Sequence, residues 1–405
     1  MRNKTAPFLV AIQIALSLAI LSNAMHVVNI RLHDAHRPSG LADEANTFSM
    51  RISAHLPLSQ AEKISYQKRI VQVASAVAGV VSAAEVSQMP MSQAGWNVSI
   101  STDRHQTQPS AIVSLYLSPD SLIKSLGLQL VAGRDFTDSD VIEQDPDGEK
   151  IKPDQVIVTQ ALAQNLFPDA ESYTGKSFFW GTGSGAKESH IIGVVARLQT
   201  PSAPSASAAD YSVLLPVRTA SSSPMLVIRS EHGQVQRVIA EVETALRAAS
   251  TFPVRIDSKT SLQDRQQRYG KEMSIISILV VVSVLLLIIS ASGIVGVSNL
   301  WLTQRRQQIG MRRALGARKV DILRYFITEN VMISTAGIGG GMLLAIGLNQ
   351  LLINQLDIAP LPLSYVALGA IGLLLLGVLA AAMPAWRAAS ISPAVASKNT
   401  FIRES

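Results

Sequence analysis

Three short patterns in this 405-residue chain have the residue types for ligand chemistry. Gly175-Lys176-Ser177 matches the end of a phosphate-binding G-x-x-x-x-G-K-[ST] loop, but Ala170 stands where the first glycine belongs. Gly181, Gly183 and Gly185 form a G-x-G-x-G run, which reads as a flexible turn. His33 and His36 are one helical turn apart, and without a third ligand they read as a solvated polar face, not a zinc site. No nucleophile–base arrangement stands out. The expectation is a chain with no catalytic, cofactor-binding or metal-binding residues, and therefore not an enzyme.

The strongest pattern is electrostatic. Between Arg305 and Arg324 lie seven cations (Arg305, Arg306, Arg312, Arg313, Arg318, Lys319, Arg324) and one anion, Asp321. A charge at the centre of a bilayer helix costs roughly 2.5–3.5 kcal/mol, so this segment belongs in water. Its neighbours do not: 273–304, 330–356 and 358–386 contain no Asp, Glu, Lys or Arg, and each exceeds the roughly 20 residues that a spanning helix needs. A fourth run, 5–30, is weakened by Gln13, Asn23, His26 and Asn29.

Residues 31–272 are different material, with 23 Lys/Arg against 25 Asp/Glu. The formal charge of +6 thus comes from the N-terminus, the central segment and the tail, and is no signature of nucleic-acid binding. Basic short segments stay on the cytoplasmic side, which places the large domain outside. The fold class expected is a membrane protein with four transmembrane α-helices and a large α+β extracytoplasmic domain inserted between spans one and two. The expected divisions are 1–30 (cytoplasmic N-terminus and first span), 31–272 (periplasmic core with stalk segments at both ends), 273–302 (second span) and 303–324 (cytoplasmic basic loop). They continue as 325–353 (third span), 354–362 (short periplasmic loop), 363–386 (fourth span) and 387–405 (cytoplasmic tail). A signal peptide cleaved near Ala24 is the alternative for the N-terminus, but apolar character continues to Ile30 and favours a retained anchor.

Within the large domain, 31–51 reads as polar and mixed. A capping box at Ser59 and Glu62 opens a helix over 59–80. Ala111–Leu117, Gln155–Thr159, 190–195, Ser212–Leu215 and 225–228 read as strands, 118–128 as a short helix, and 234–249 as an amphipathic helix. Loops are expected at 138–152 and 201–209, and 261–271 is a helix-permissive connection. Glycines crowd the spans, and Gly293, Gly337 and Gly341 are candidates for close helix packing, since in lipid small residues let backbones approach.

The central segment also carries a resemblance. Gln308-Ile309-Gly310-Met311-Arg312-Arg313-Ala314-Leu315-Gly316-Ala317 looks like the EIGxRRALGA signature of MacB/FtsX-type ABC transporter permeases. The tail Pro384-Ala385-Trp386-Arg387-Ala388-Ala389 followed by Ser392-Pro393 resembles that family's PxRRAAxxxP run, with Trp386 replacing an Arg. In the outer domain, Gly79-Val80 with Met89-Pro90, Gly133-Arg134-Asp135-Phe136, 156–167 with Gly175-Lys176, and 191–195 are similar to further family motifs.

The resemblance implies a permease subunit in the inner membrane that transmits ATP-driven motion to its periplasmic domain and expels a peptide, antibiotic or other amphiphile. It implies that ATP and Mg are bound by a partner ATPase subunit, docked on Arg305, Gln308, Ile309, Gly310, Arg312, Arg313, Ala314, Gly316 and Ala317. Other implied partners are a second permease, identical or not, with a periplasmic adaptor and an outer-membrane channel. Within the family, a LolC/LolE-like lipoprotein-releasing subunit and an FtsX-like regulator of a cell-wall hydrolase are alternatives; a stand-alone anchored sensor is one outside it. Gln304 and Gln308 replace carboxylates usual in the family, which suggests a non-identical partner permease that keeps them.

Overall fold

The computed structural model describes residues 5–54, 58–145, 152–202, 208–314, 318–356 and 359–389. They form two compact units: a helical one (1–35 and 272–405) and an α+β one (36–271).

In the α+β unit, two repeats of strand–helix–strand build one sheet. The strands are β1 (Thr47–Ala54), β2 (Val80–Glu85), β12 (Met225–Ser230) and β13 (Val254–Thr260); the helices are α2 (Gln60–Ser75) and α5 (Val235–Ala249). The order β13-β1-β12-β2, antiparallel throughout, is that of a split βαβ sandwich. One sheet face buries Phe48, Met50 and Ile52 against Ile70 of α2 and Val238, Val242 and Leu246 of α5. The capping box starts α2 as expected: Ser59 accepts the Glu62 N–H, and the Glu62 carboxylate accepts the Ser59 N–H at 2.8 Å.

Between β2 and β12 the chain makes a second sheet. Its strands are β3 (Asn97–Ser101), β4 (Ala111–Leu117), β5 (Leu130–Gly133), β7 (Gln155–Thr159), β8 (Ser177–Trp180), β9 (Lys187–Val195) and β10 (Ser212–Leu215). Their order is β5-β9-β7-β10-β4-β3-β8, and β8 pairs back onto β9, so six strands close into a ring and β5 hangs from β9. Closure removes the exposed edges that an open sheet would present. Val113, Val156, Val158, Phe178, Ile191 and Val213 fill one core, packed with Leu162 of α4 (Gln160–Leu166). A separate core joins the two sheets through Ala84, Tyr116, Val195, Leu214 and Val227, with α3 (Leu122–Leu126) lying across it. A small parallel pair, β6 (Ile142–Gln144) with β11 (Val217–Thr219), completes the unit.

In the helical unit, α1 (Thr5–Ala35), α6 (Ser261–Ala314, from Glu272 onward), α7 (Lys319–Leu356) and α8 (Leu363–Ala389) are long and apolar enough to cross a membrane. Val10, Ile14 and Leu18 of α1 are buried with Ile294, Ile338 and Leu373 from the other three.

Several expectations are corrected. The segment 303–324 is not a loop over most of its length: α6 runs on to Ala314 as one 54-residue helix, and α7 starts at Lys319. The run of Arg, Gln, Met and Ala is strongly helix-forming and has no proline, so the helix passes through the change from apolar to basic residues. The stalk segment after the first span is not helical over 36–54, since α1 ends at Ala35 and β1 follows over Thr47–Ala54. In 47–54 the apolar residues Phe48, Met50, Ile52 and Ala54 fall on every second position, a strand pattern set within polar surroundings. The expected loop 138–152 contains β6, while 146–151 and 203–207 lie outside the described residues.

Candidate functional site

The basic segment that includes the end of α6 and the start of α7 has described geometry on both helices. Gln304, Met311 and Arg312 are exposed. The Arg312 guanidinium lies 5.5 Å from the centroid of the Tyr325 ring, a cation–π contact that ties the end of α6 to the first turns of α7. On α7, the Asp321 carboxylate accepts the Arg318 N–H at 3.0 Å and supports the helix start, where negative charge is favoured. Arg305, Gln308, Ile309, Gly310, Arg313 and Ala314 have helical backbone, but their side chains lie outside the described residues, as do Gly316 and Ala317 altogether.

The structure sorts the membrane glycines by what faces them. A Cβ on Gly337 would sit 2.7 Å from the Ala11 carbonyl oxygen, and one on Gly341 would sit 2.9 Å from that of Ala15. At Gly293 it would meet the Gln13 side-chain oxygen at 2.4 Å. Gly296, Gly339, Gly347 and Gly372 have nothing within 4 Å, so the crowding of glycine in the sequence overstates the contacts. Ala11 and Ala15 are one turn apart on α1, as Gly337 and Gly341 are on α7, and the two helices meet backbone to backbone.

Polar residues that weaken the first apolar run in sequence reach other parts of the helical unit. Asn23 is buried and donates to the carbonyls of Ala19 at 2.9 Å and Ala345 at 3.0 Å. His26 Nε2 lies 2.9 Å from the Ala359 carbonyl oxygen, and the two hydroxyls of Ser17 and Ser290 are 2.8 Å apart. Asn330 donates to the Gly377 carbonyl at 2.7 Å, joining α7 to α8.

In the α+β unit, sequence reasoning missed two features. The first is Gln199, fully buried between three parts of the unit. Its Nε2 donates to the carbonyls of Arg37 at 3.0 Å and Pro38 at 3.2 Å, and its Oε1 accepts from the Tyr269 hydroxyl at 3.2 Å. Tyr116 of β4 donates to the Gln199 carbonyl at 2.5 Å. Arg265 on the first turns of α6 clasps Glu44 at 2.5 and 2.9 Å and donates to the Arg37 carbonyl. The start of α6, the segment after α1 and the ring of strands therefore share one hydrogen-bond joint.

The second is a buried charge cluster. Glu85 at the end of β2 faces Arg218 of β11, Oε2 to Nε 3.3 Å, and accepts from Gln67. Arg218 also lies 3.8 Å from Asp120 and 3.7 Å from Glu143. Burial pushes the Glu85 carboxyl up to about 7, against the opposing pull of Arg218 and Gln67. Burial likewise raises Asp120, which accepts the Glu85 N–H at 2.8 Å.

The ligand-like motifs are turns. Gly175 has φ +84°, donates to the Ile191 carbonyl at 2.8 Å and precedes a strand, not the helix N-terminus that a phosphate cradle needs. Gly181 and Gly183, φ +81° and +89°, bend the hairpin between β8 and β9. Among the described residues, no group of three His, Asp or Glu side chains could hold a metal.

The family model for the MacB-like periplasmic core domain matches residues 14–250, more than half of the chain. The chain belongs to the MacB/FtsX-type family of ABC transporter permeases. The model for the FtsX-like permease C-terminal region matches residues 280–393 of this permease, the part holding most of α6 with α7 and α8. It is 28% identical over 252 residues to a macrolide export ATP-binding/permease protein MacB of Bradyrhizobium diazoefficiens, covering 60% of this chain and 38% of that one. It is 36% identical over 110 residues to a pyoverdine export ATP-binding/permease protein PvdT of Pseudomonas syringae, covering 27% of this chain and 17% of the relative. A MacB of Acinetobacter baylyi is 32% identical over 136 residues, covering 32% and 20%. The permease thus spans well under half the length of these relatives. Four apolar helices and a permease family make it a membrane protein whose own domains are not those of an enzyme.

Proposed function

We propose that this permease works in the bacterial inner membrane, with its α+β unit in the periplasm, and passes motion from an ATP-binding partner to that unit to expel an amphiphilic cargo. The observation that carries this reading is α6. A helix of 54 residues is about 80 Å long, and it begins directly after β13 and ends in the basic turn. Displacement at the basic end has a continuous hydrogen-bonded rod to travel along, and the Gln199 joint receives it at the other end. ATP and Mg belong to the partner; that the relatives are ATP-binding/permease proteins supports a nucleotide-binding partner here.

Two permease units per complex, with an adaptor and an outer-membrane channel, extend the same reading. The exposed Gln304 and the neutral Gln308 support a non-identical second permease that retains the carboxylates. Co-purification of the tagged chain from detergent, with mass spectrometry of everything retained, tests the reading. An ABC-type ATPase together with a second, different permease is the expected outcome. A preparation without any ATPase overturns the transporter assignment, and one with this permease alone beside its ATPase overturns the heteromeric pairing.

A further inference from the structure

Where the two sheets of the α+β unit meet, a cleft of about 350 Å³ opens, within the size range of small-ligand sites. Its walls come from β1, β2, β4, β11 and β12 and from the segment between β2 and β3. Leu117, Pro224 and Met225 make the apolar side, and Trp96, 60% exposed, stands at its rim. A large aromatic beside an apolar wall extends that wall with a flat ring.

Two polar features say what chemistry would fit. Arg51 projects from β1 into the lining, and its described contact is Met225 Sδ at 3.5 Å. Its cross-strand neighbour Asp257 is engaged by Arg255 at 3.0 Å, so among the described residues no carboxylate pairs with Arg51. Gln88, also in the lining and buried, accepts the Trp96 N–H at 3.0 Å through Oε1, while its Nε2 has no partner among the described residues. The strongest partner for a guanidinium without a carboxylate is a carboxylate, while the enclosed Gln88 Nε2 is a donor held inside the wall. The one carboxylate in the wall, Glu85, is already compensated by Arg218 and Gln67.

We propose that this cleft is a binding site for small amphiphilic carboxylates, with the anionic head on Arg51 and the apolar body against Trp96 and Met225. The inference rests on the α+β unit alone and stands whether or not the ligand is also the transported cargo. Fluorine NMR of 4-(trifluoromethyl)phenylacetate added to the full chain in nanodiscs tests it, with empty nanodiscs measuring the probe taken up by lipid. The expected dissociation constant is on the order of 1 mM or tighter for a probe of that size. Arg51→Gln is expected to weaken binding about tenfold or more, and so is replacing the probe by its neutral methylamide. Trp96→Ala is expected to weaken acid and amide alike. Equal binding of acid and amide, unchanged binding by Arg51→Gln, or no signal beyond empty nanodiscs would each overturn the proposal.

Discussion

Gly337 on α7 and Ala11 on α1 approach so closely that a single added carbon would lie 2.7 Å from the Ala11 carbonyl oxygen. Gly337→Leu should therefore force α1 and α7 apart, at about 1–3 kcal/mol for overpacking. Thermal unfolding of the purified permease in detergent is expected to show a clear loss. Gly339→Leu, at a position with nothing within 4 Å, is the matched control and is expected to leave the transition in place.

Arg312 supplies a contact between the end of α6 and the start of α7, and with Arg313 it adds to the charge of the basic segment. The doubly reversed Arg312→Glu, Arg313→Glu permease should still insert, because neither residue lies in the apolar part of a span. Its yield of co-purifying ATPase is expected to fall about tenfold or more, as like charges now face the docking partner. Undiminished recovery of the ATPase would place the docking surface elsewhere.

Glu85 makes the stability of the α+β unit depend on pH. Its carboxyl is held up at about 7 in the folded unit, from an ordinary value of 4.5. The folded state therefore keeps a proton that the unfolded chain releases. This contribution is fully present below pH 4.5 and is lost as pH rises to about 7, at a cost of about 3 kcal/mol. Pulse proteolysis of the full chain in urea should show stability falling over that window, and Glu85→Gln should flatten the fall.

Gln199 joins the chain after α1, the start of α6 and β4 through its side chain and backbone. Gln199→Leu strands the Tyr269 hydroxyl and the Pro38 carbonyl, each unpaired group costing about 1–3 kcal/mol, while the Arg37 carbonyl keeps Arg265. Amide exchange is expected to speed up in 36–46 and in the first turns of α6, while β7 and β9 in the ring stay protected. Exchange that rises uniformly over the unit would show a general packing role instead of a joint.

Parts of this architecture were legible before folding. The β-branched runs Ala111–Leu117, Gln155–Thr159 and Ser212–Leu215 coincide with β4, β7 and β10, and the Ser59–Glu62 pair marks the start of α2. These elements advertise themselves because their signal is local: apolar residues along one short stretch, or a cap three residues long. β1 also had a local signal, its alternation of Phe48, Met50 and Ile52, but it was set in a polar stretch that concealed it. The closure of β8 onto β9 and the Gln199 joint left no such trace.

The sequence alone determined that there are four apolar runs, a basic segment that lipid would reject and an α+β unit in between, because transfer energies and periodicity act residue by residue. Only the tertiary structure decided which glycines touch a neighbour and that α6 runs unbroken into its basic end. It also decided that Asn23 reaches α7 and His26 the segment before α8, and that Arg51, Gln88 and Trp96 border one cleft. Those properties depend on atoms hundreds of residues apart meeting within a few ångströms, as Ser17 and Ser290 do, and no local pattern encodes such a meeting.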